Sequence, residues 1–198
     1  MVVVSSMMPN EGKTFTTINL AKVYASMGKR VLLMDMDTGN PSIHKVFNIE
    51  NKDGLNALLK KEISAQQAVV KTGFKNLDFI PSGNIENIYS GILFAPQTFS
   101  RLESIKSNYD VILIDTPPVG IVEDVTLLMQ QVDQNLLIFR DRKTKLKTVK
   151  FAQKMVEEFD PPNVYSVLNH VKNRGQANYY YKTVSKKGRV WDAITAMF

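Results

Sequence analysis

The chain has 198 residues, of which 44% are hydrophobic and 22% charged, with no cysteine and a formal net charge of +6. That length suits one domain with one substantial core. The lack of cysteine excludes a disulfide framework or thiolate metal site and fits a reducing cytoplasm. No apolar run approaches the roughly 20 residues of a membrane-spanning helix, and the opening Met1–Ser6 lacks the charged head and long apolar core of a signal peptide. It reads instead as a buried strand starting almost at the first residue, so an upstream segment of the natural protein is expected to be missing. The charge is uneven: residues 1–139 carry 12 Lys/Arg and 14 Asp/Glu (−2), residues 140–198 carry 13 and 5 (+8). A basic final quarter suits an anionic lipid surface, a nucleic acid or an acidic partner, or is a solvated face with a flexible tail.

In chain order, short β-branched runs predict strands at Val2–Ser6, Val31–Asp35, Leu77–Pro81, Val111–Asp115, Leu136–Arg140 and Val164–Asn169. Helical periodicity lies between them, at 14–27, 54–70, 98–107, 122–132 and 144–159. Strands apolar on both faces and separated by helices imply an α/β fold, a mostly parallel sheet covered on both sides. In the first helix, Phe15, Ile18, Ala21 and Ala25 predict one buried stripe, and Gly28 a C-terminal stop. Residues 1–171 read as one domain, and 172–198 as a basic tail containing Tyr179, Tyr180 and Tyr181.

Ligands of an open parallel sheet bind beyond the carboxyl ends of its strands, where three signals converge. The first is Met7-Met8-Pro9-Asn10-Glu11-Gly12-Lys13-Thr14, after a strand and opening a helix, the context of a P-loop. Its backbone N–H groups suit phosphate oxygens; Lys13 is expected on the β/γ-phosphates and the Thr14 hydroxyl on magnesium. Met7 stands where the first glycine is usual, so the motif alone is also compatible with a plain turn. The second is Asp35-Met36-Asp37, two carboxylates at the end of a buried strand, suited to Mg2+ directly or through water and to accepting a substrate proton. The third is Val111-Ile112-Leu113-Ile114-Asp115, followed by Pro117 and Pro118, which has the form of a Walker B strand.

With these residues in hand, the chain resembles the cytoplasmic P-loop kinase domain of the bacterial tyrosine kinases of capsular and exopolysaccharide synthesis. The likeness runs in order through Pro9–Thr14, Asp35-Met36-Asp37 with Pro41, His44 and Phe47, Gly54-Leu55, Pro81-Ser82-Gly83, Asp115-Thr116-Pro117-Pro118-Val119, Leu168-Asn169-His170-Val171 and the terminal tyrosines. It implies an ATP- and Mg2+-dependent protein-tyrosine autokinase. Lys13, Asp35 and Asp37 would be catalytic, and Thr14, Asp37 and Asp115 would serve the metal. Pro9, Asn10, Glu11, Gly12, Lys13, Thr14 and Phe15 would line the nucleotide, Asn169 would contact adenine, and Tyr179, Tyr180 and Tyr181 would accept phosphate. It further implies a homo-oligomeric ring, a membrane polysaccharide co-polymerase, a tyrosine phosphatase, no nucleic acid, and a place at the inner face of the plasma membrane. That place would be reached through a partner or an N-terminal membrane region.

Departures are Gly39, where the family usually has arginine, Asn10 for a commoner glycine, Met7 for a small residue, and no upstream Glu/Arg helix. Fold and ATP binding are the expectations least sensitive to them. A ParA/MinD-like partner-switching ATPase would instead carry its signature lysine at position 8, which is Met8. A nucleotide-binding scaffold without catalysis is the third reading. His44 and His170 read as structural or surface residues, and Trp191, Ile194 and Phe198 as an apolar strip of a terminal helix.

Overall fold

The structure, a computed structural model, describes residues 1–83 and 96–171. The terminal tyrosines, Trp191 and the whole basic tail lie outside the described residues. The chain runs β1 (Val2–Ser6), α1 (Lys13–Ser26), β2 (Val31–Asp35), α2 (Ile43–Val46), α3 (Leu55–Leu59), α4 (Ala65–Ala68), β3 (Val70–Lys71) and β4 (Leu77–Ile80). It continues through α5 (Pro96–Lys106), β5 (Val111–Asp115), α6 (Val125–Met129), β6 (Gln134–Arg140), α7 (Leu146–Phe159) and β7 (Val164–Asn169).

The sheet order is β3-β4-β2-β5-β1-β6-β7. Every pairing is parallel except β3 with β4. β2, β5 and β1 are central, and their apolar residues alternate between two cores. Val31, Leu33 and Leu113 pack with Ile18, Ala21 and Ala25 of α1. Leu32, Met34, Ile112 and Ile114 pack on the opposite face with Leu55, Leu58, Val125 and Leu128. Both faces are therefore dry, as the unbroken apolar runs require. The register sets Asp35 directly opposite Asp115, so two of the three predicted signals meet because their strands are neighbours.

Some elements depart from the expected pattern. The stretch 54–70 is two short helices and a strand. Lys61 takes a left-handed φ of 63°, which ends a helix, and Ser64 with Gln67 forms a capping box that starts the next. Phe15 is not part of the α1 stripe: it is 67% exposed. The 4-3-4 line through Ile18, Ala21 and Ala25 begins at Thr14, which leaves Phe15 to one side of it. Gly28, at φ 83°, does end the helix. Among the described residues no helix is long and apolar enough to cross a membrane.

Candidate functional site

The carboxyl edge of the sheet gathers charge into a buried place. Lys13 opens α1, and its Nζ donates to Asp37 Oδ2 at 2.5 Å and lies 3.9 Å from Asp115 Oδ2. The Thr14 hydroxyl donates to Asp115 Oδ2 at 2.6 Å, and Thr17 to Oδ1 at 3.2 Å. Burial alone works against the Lys13 ammonium, but the charges of Asp115 and Asp37 outweigh it and hold its pKa above the usual value. Burial pushes Asp115 up to about 6, with Lys13 pulling the other way.

Asp35 behaves differently. Its Oδ1 accepts the Asp37 N–H, and Oδ2 accepts those of Ser42 and Ile43 at 3.3 Å. Burial, then the charge of Asp115, raises it to about 7. Its oxygens are engaged with the backbone of the loop that carries Asp37. A cleft of about 410 Å3 opens above these groups, lined by Pro9, Asn10, Gly12, Lys13, Thr14, Phe15, Asp37, Asn40, Ser42 and Pro118.

The loop from Met7 to Gly12 explains its own unusual residues. Asn10 takes φ 62°, a left-handed conformation that asparagine tolerates better than most side chains, so it can stand in for glycine. Gly12 has φ 99°, and a Cβ there would meet Asn169 Nδ2 at 2.0 Å. Met7 is buried in the core, and a Cβ on Gly120 would strike its carbonyl oxygen at 2.3 Å. The usual small residue is thus replaced by one whose side chain turns inward.

Glu11, fully buried, is the anchor of this loop. Its carboxylate accepts the Met8 N–H at 2.9 Å and the Thr144 hydroxyl, and Thr144 in turn accepts the Arg140 N–H at 2.8 Å. Arg140 Nη1 donates to the Asn10 carbonyl at 2.9 Å, and Asn169 Nδ2 to that of Glu11 at 3.1 Å. Burial raises the Glu11 pKa despite the bonds from Thr144 and Met8. Sequence reasoning missed Thr144 and Arg140, because the contacts that tie them to the phosphate loop are with residues more than a hundred positions away. The Asn169 amide lies on the phosphate loop.

A hydroxyl and two carboxylates beside a lysine form a hard-oxygen donor set that fits magnesium, which takes few protein ligands and keeps phosphate and water oxygens. Among the described residues no group of three or more His, Cys, Asp or Glu side chains forms an all-protein metal cage. A larger cleft of about 660 Å3 lies at the opposite edge, lined by Arg30, Lys71, Tyr109 and neighbours. Several of its polar groups are already engaged: Arg30 with nearby Asp110, and Lys71 and Tyr109 with Asp78. It lacks the converging cation and carboxylates of the smaller one.

Fold and site together define a P-loop nucleoside-triphosphatase domain. The family described as AAA domain matches residues 10–159, and the chain belongs to it. Among named relatives, the chain is 32% identical over 183 residues to the tyrosine-protein kinase YwqD of Bacillus subtilis, covering 92% of this chain and 77% of that one. The chain is therefore a member of the bacterial tyrosine-protein kinase family. It is also 34% identical to a putative tyrosine-protein kinase, EpsB of Ralstonia solanacearum, of whose length it spans 21%, against 79% of its own. The kinase domain of the Escherichia coli tyrosine kinase ETK superposes with a TM-score of 0.81 at 27% identity, covering 91% of this chain and 71% of that one. The MinD cell division protein of Aquifex aeolicus shares the fold, with a TM-score of 0.71 at 24% identity over 86% of this chain and 69% of that one.

Proposed function

We propose that the chain is an ATP-dependent protein-tyrosine autokinase acting in exopolysaccharide or capsule production. The observation that carries this reading is the convergence of Lys13, Thr14, Asp37 and Asp115 beneath a cleft of about 410 Å3, in a chain related to tyrosine-protein kinases. In the reaction, the γ-phosphorus of ATP gains a bond to a tyrosine oxygen and loses its bond to the β–γ bridging oxygen. ADP leaves, and the tyrosine proton passes to a base. Lys13 holds the β/γ-phosphates and offsets charge on the departing oxygen. Asp37, on the cleft wall, accepts the proton or orients the acceptor, and Asp35 fixes the loop that carries it. Magnesium held by Thr14, Asp37 and Asp115 would supply neutralisation of the phosphate oxygens. Pro9–Phe15 line the nucleotide.

Tyr179, Tyr180 and Tyr181 are the proposed acceptors, on a tail (172–198) outside the core domain (1–171), and transfer runs between neighbouring copies. Eight steps from Val171 to Tyr179 span at most about 26–29 Å, enough to reach an adjacent site. A ring of copies, a membrane polysaccharide co-polymerase that places the domain at the inner membrane face, and a phosphatase that resets it complete the proposal. Met8 in place of a signature lysine disfavours the partner-switching ATPase.

The test is mass spectrometry after incubation with Mg-ATP, using a Lys13→Met chain with its tail mixed with an intact-site chain truncated before Tyr179. Phosphotyrosine on the Lys13→Met chain is the expected result. An unlabelled mixture, alongside intact protein that labels itself independently of concentration, overturns transfer between copies. No phosphotyrosine on any chain overturns the kinase reading.

A further inference from the structure

Helix α7 presents an outer face that nothing among the described residues covers. Val149, Ala152 and Met155 bury its inner side. Lys147, Lys150, Phe151 and Lys154 are exposed, at the i, i+3, i+4, i+7 spacing that stacks side chains into one stripe. Phe151 is 52% exposed, a large ring set among three lysines. The loop entering the helix adds exposed Arg142, Lys143 and Lys145.

Residues 140–156 hold seven Lys/Arg and a single carboxylate, Asp141, with Glu157 and Glu158 following only in the last turn of α7. Arg142 has the Asp141 carboxylate at 3.7 Å. Among the described residues, none of the five lysines of this stretch has an acidic partner within 4 Å. Like charges three and four apart repel, so the stripe is a cost to the folded chain that no internal ion pair offsets. The tail does not supply the missing acid either, since residues 172–198 carry six Lys/Arg and one Asp.

We propose that this face docks on an anionic lipid surface. Two features favour lipid over nucleic acid. The stripe is made of lysines, compact charges suited to a diffuse anionic surface, with none of the arginine forks that suit base edges and paired phosphate contacts. At its centre stands an apolar ring, where a helix lying in a bilayer interface places one. Residues 1–139, at −2, give the rest of the domain the opposite sign, which orients the basic face toward the membrane. The same entry loop carries Thr144, the partner of Glu11, so the nucleotide edge adjoins the docked surface. This inference goes beyond the kinase reading and has a readout independent of it.

The experiment sediments the full chain with phosphatidylcholine vesicles, with and without phosphatidylglycerol, at physiological salt. Two variants accompany it, a triple variant (K147E, K150E and K154E) and Phe151→Ser, each checked for folding by circular dichroism. Phosphatidylglycerol is expected to raise affinity at least about tenfold, and the triple variant to lower it on the order of 100-fold, a few-fold for each lysine. Phe151→Ser is expected to lower it several-fold. Indifference to phosphatidylglycerol overturns the proposal, as does a triple variant that binds like the parent. So does tighter binding to a DNA duplex that the triple variant loses and Phe151→Ser leaves intact, which would assign the face to nucleic acid.

Discussion

Strand β5 has an aspartate at each end, and the two live in opposite worlds. Asp110, just before the strand, accepts from the Arg30 guanidinium and from the Arg30 N–H at 2.8 Å. Those hydrogen bonds hold its pKa down at about 2. Asp115, at the other end, is 1% exposed and raised to about 6 by burial. One sheet therefore has an edge where charges are solvated and matched, and an edge where they are dry and crowded. Crowded carboxylates raise each other's cost, and the arrangement makes sense where a cation and a polyphosphate complete the site.

Breaking the cationic half of the crowded edge is expected to have the largest effect. Lys13→Ala should lower turnover by roughly 100- to 1,000-fold or more, the usual consequence of removing one preorganised charge at a developing anion. Steady-state assay of phosphotyrosine formation or ATP hydrolysis checks it. Near-normal turnover in a folded variant would show that the crowding serves something other than phosphate.

Asp115→Asn sharpens the comparison, because function and stability should move in opposite directions. The Thr14 and Thr17 hydroxyls that donate to Asp115 can each turn to suit an amide, so shape is kept and only charge is lost. A rise from 3.8 to about 6 corresponds to roughly 3 kcal/mol against the ionised folded state. In nucleotide-free protein at pH 8 the variant should therefore melt higher by about 5 °C or more, while Mg-ATP turnover falls. The pH dependence follows with its sign. Between the unfolded value of 3.8 and the folded values of about 6 for Asp115 and about 7 for Asp35, the folded chain holds protons that the unfolded chain has lost. Their contribution to stability is full below pH 4 and gone above pH 7. Thermal melts from pH 5 to 8 should show wild-type stability falling through this window, with Asp115→Asn flattening the fall. A variant that melts lower than wild type at pH 8 would contradict the account.

The sequence made one edge far more legible than the other. β1, β2 and β5 fall at the predicted residues because central parallel strands are apolar on both faces, and Asp35 and Asp115 interrupt such runs at their ends; β7, a half-exposed edge strand, falls at its predicted residues too. Val70–Lys71 was unreadable as a strand: two residues carry no period, and Val70 sat at the end of what looked like a helix. Phe15 was misplaced because the first buried residues of α1 are polar, Lys13 and Thr17. The anchoring of Glu11 by Thr144 could not be read at all, for a buried hydrogen bond between residues 133 apart leaves no local pattern. At the opposite edge the pairs of Arg30 with Asp110 and of Lys71 with Asp78 depend on sheet order, which spacing alone does not provide. The sequence located the phosphate loop and the carboxylates; the contacts that hold the loop in shape are tertiary.

Asp110→Asn, the matched change at the solvated end of β5, should have the smallest effect of the three. It removes the charge that Arg30 faces, and an amide oxygen can still accept the Arg30 N–H. Both side chains are open to water, Arg30 at 58% and Asp110 at 37%, so screening leaves such a pair little net worth. The direction is nevertheless opposite to that of Asp115→Asn. Arg30 lowers the folded pKa of Asp110 below its unfolded value, so the pair contributes stability above pH 4 that is lost as pH falls toward 2. At pH 8 the variant should melt slightly lower, by less than about 3 °C, with unchanged turnover, and added salt should shrink the difference. The two variants differ by the same atoms at opposite ends of one strand, so differential scanning calorimetry of the pair isolates environment from chemistry. If both shift the melting temperature in the same direction at pH 8, desolvation at the nucleotide edge is not what sets its carboxylates apart.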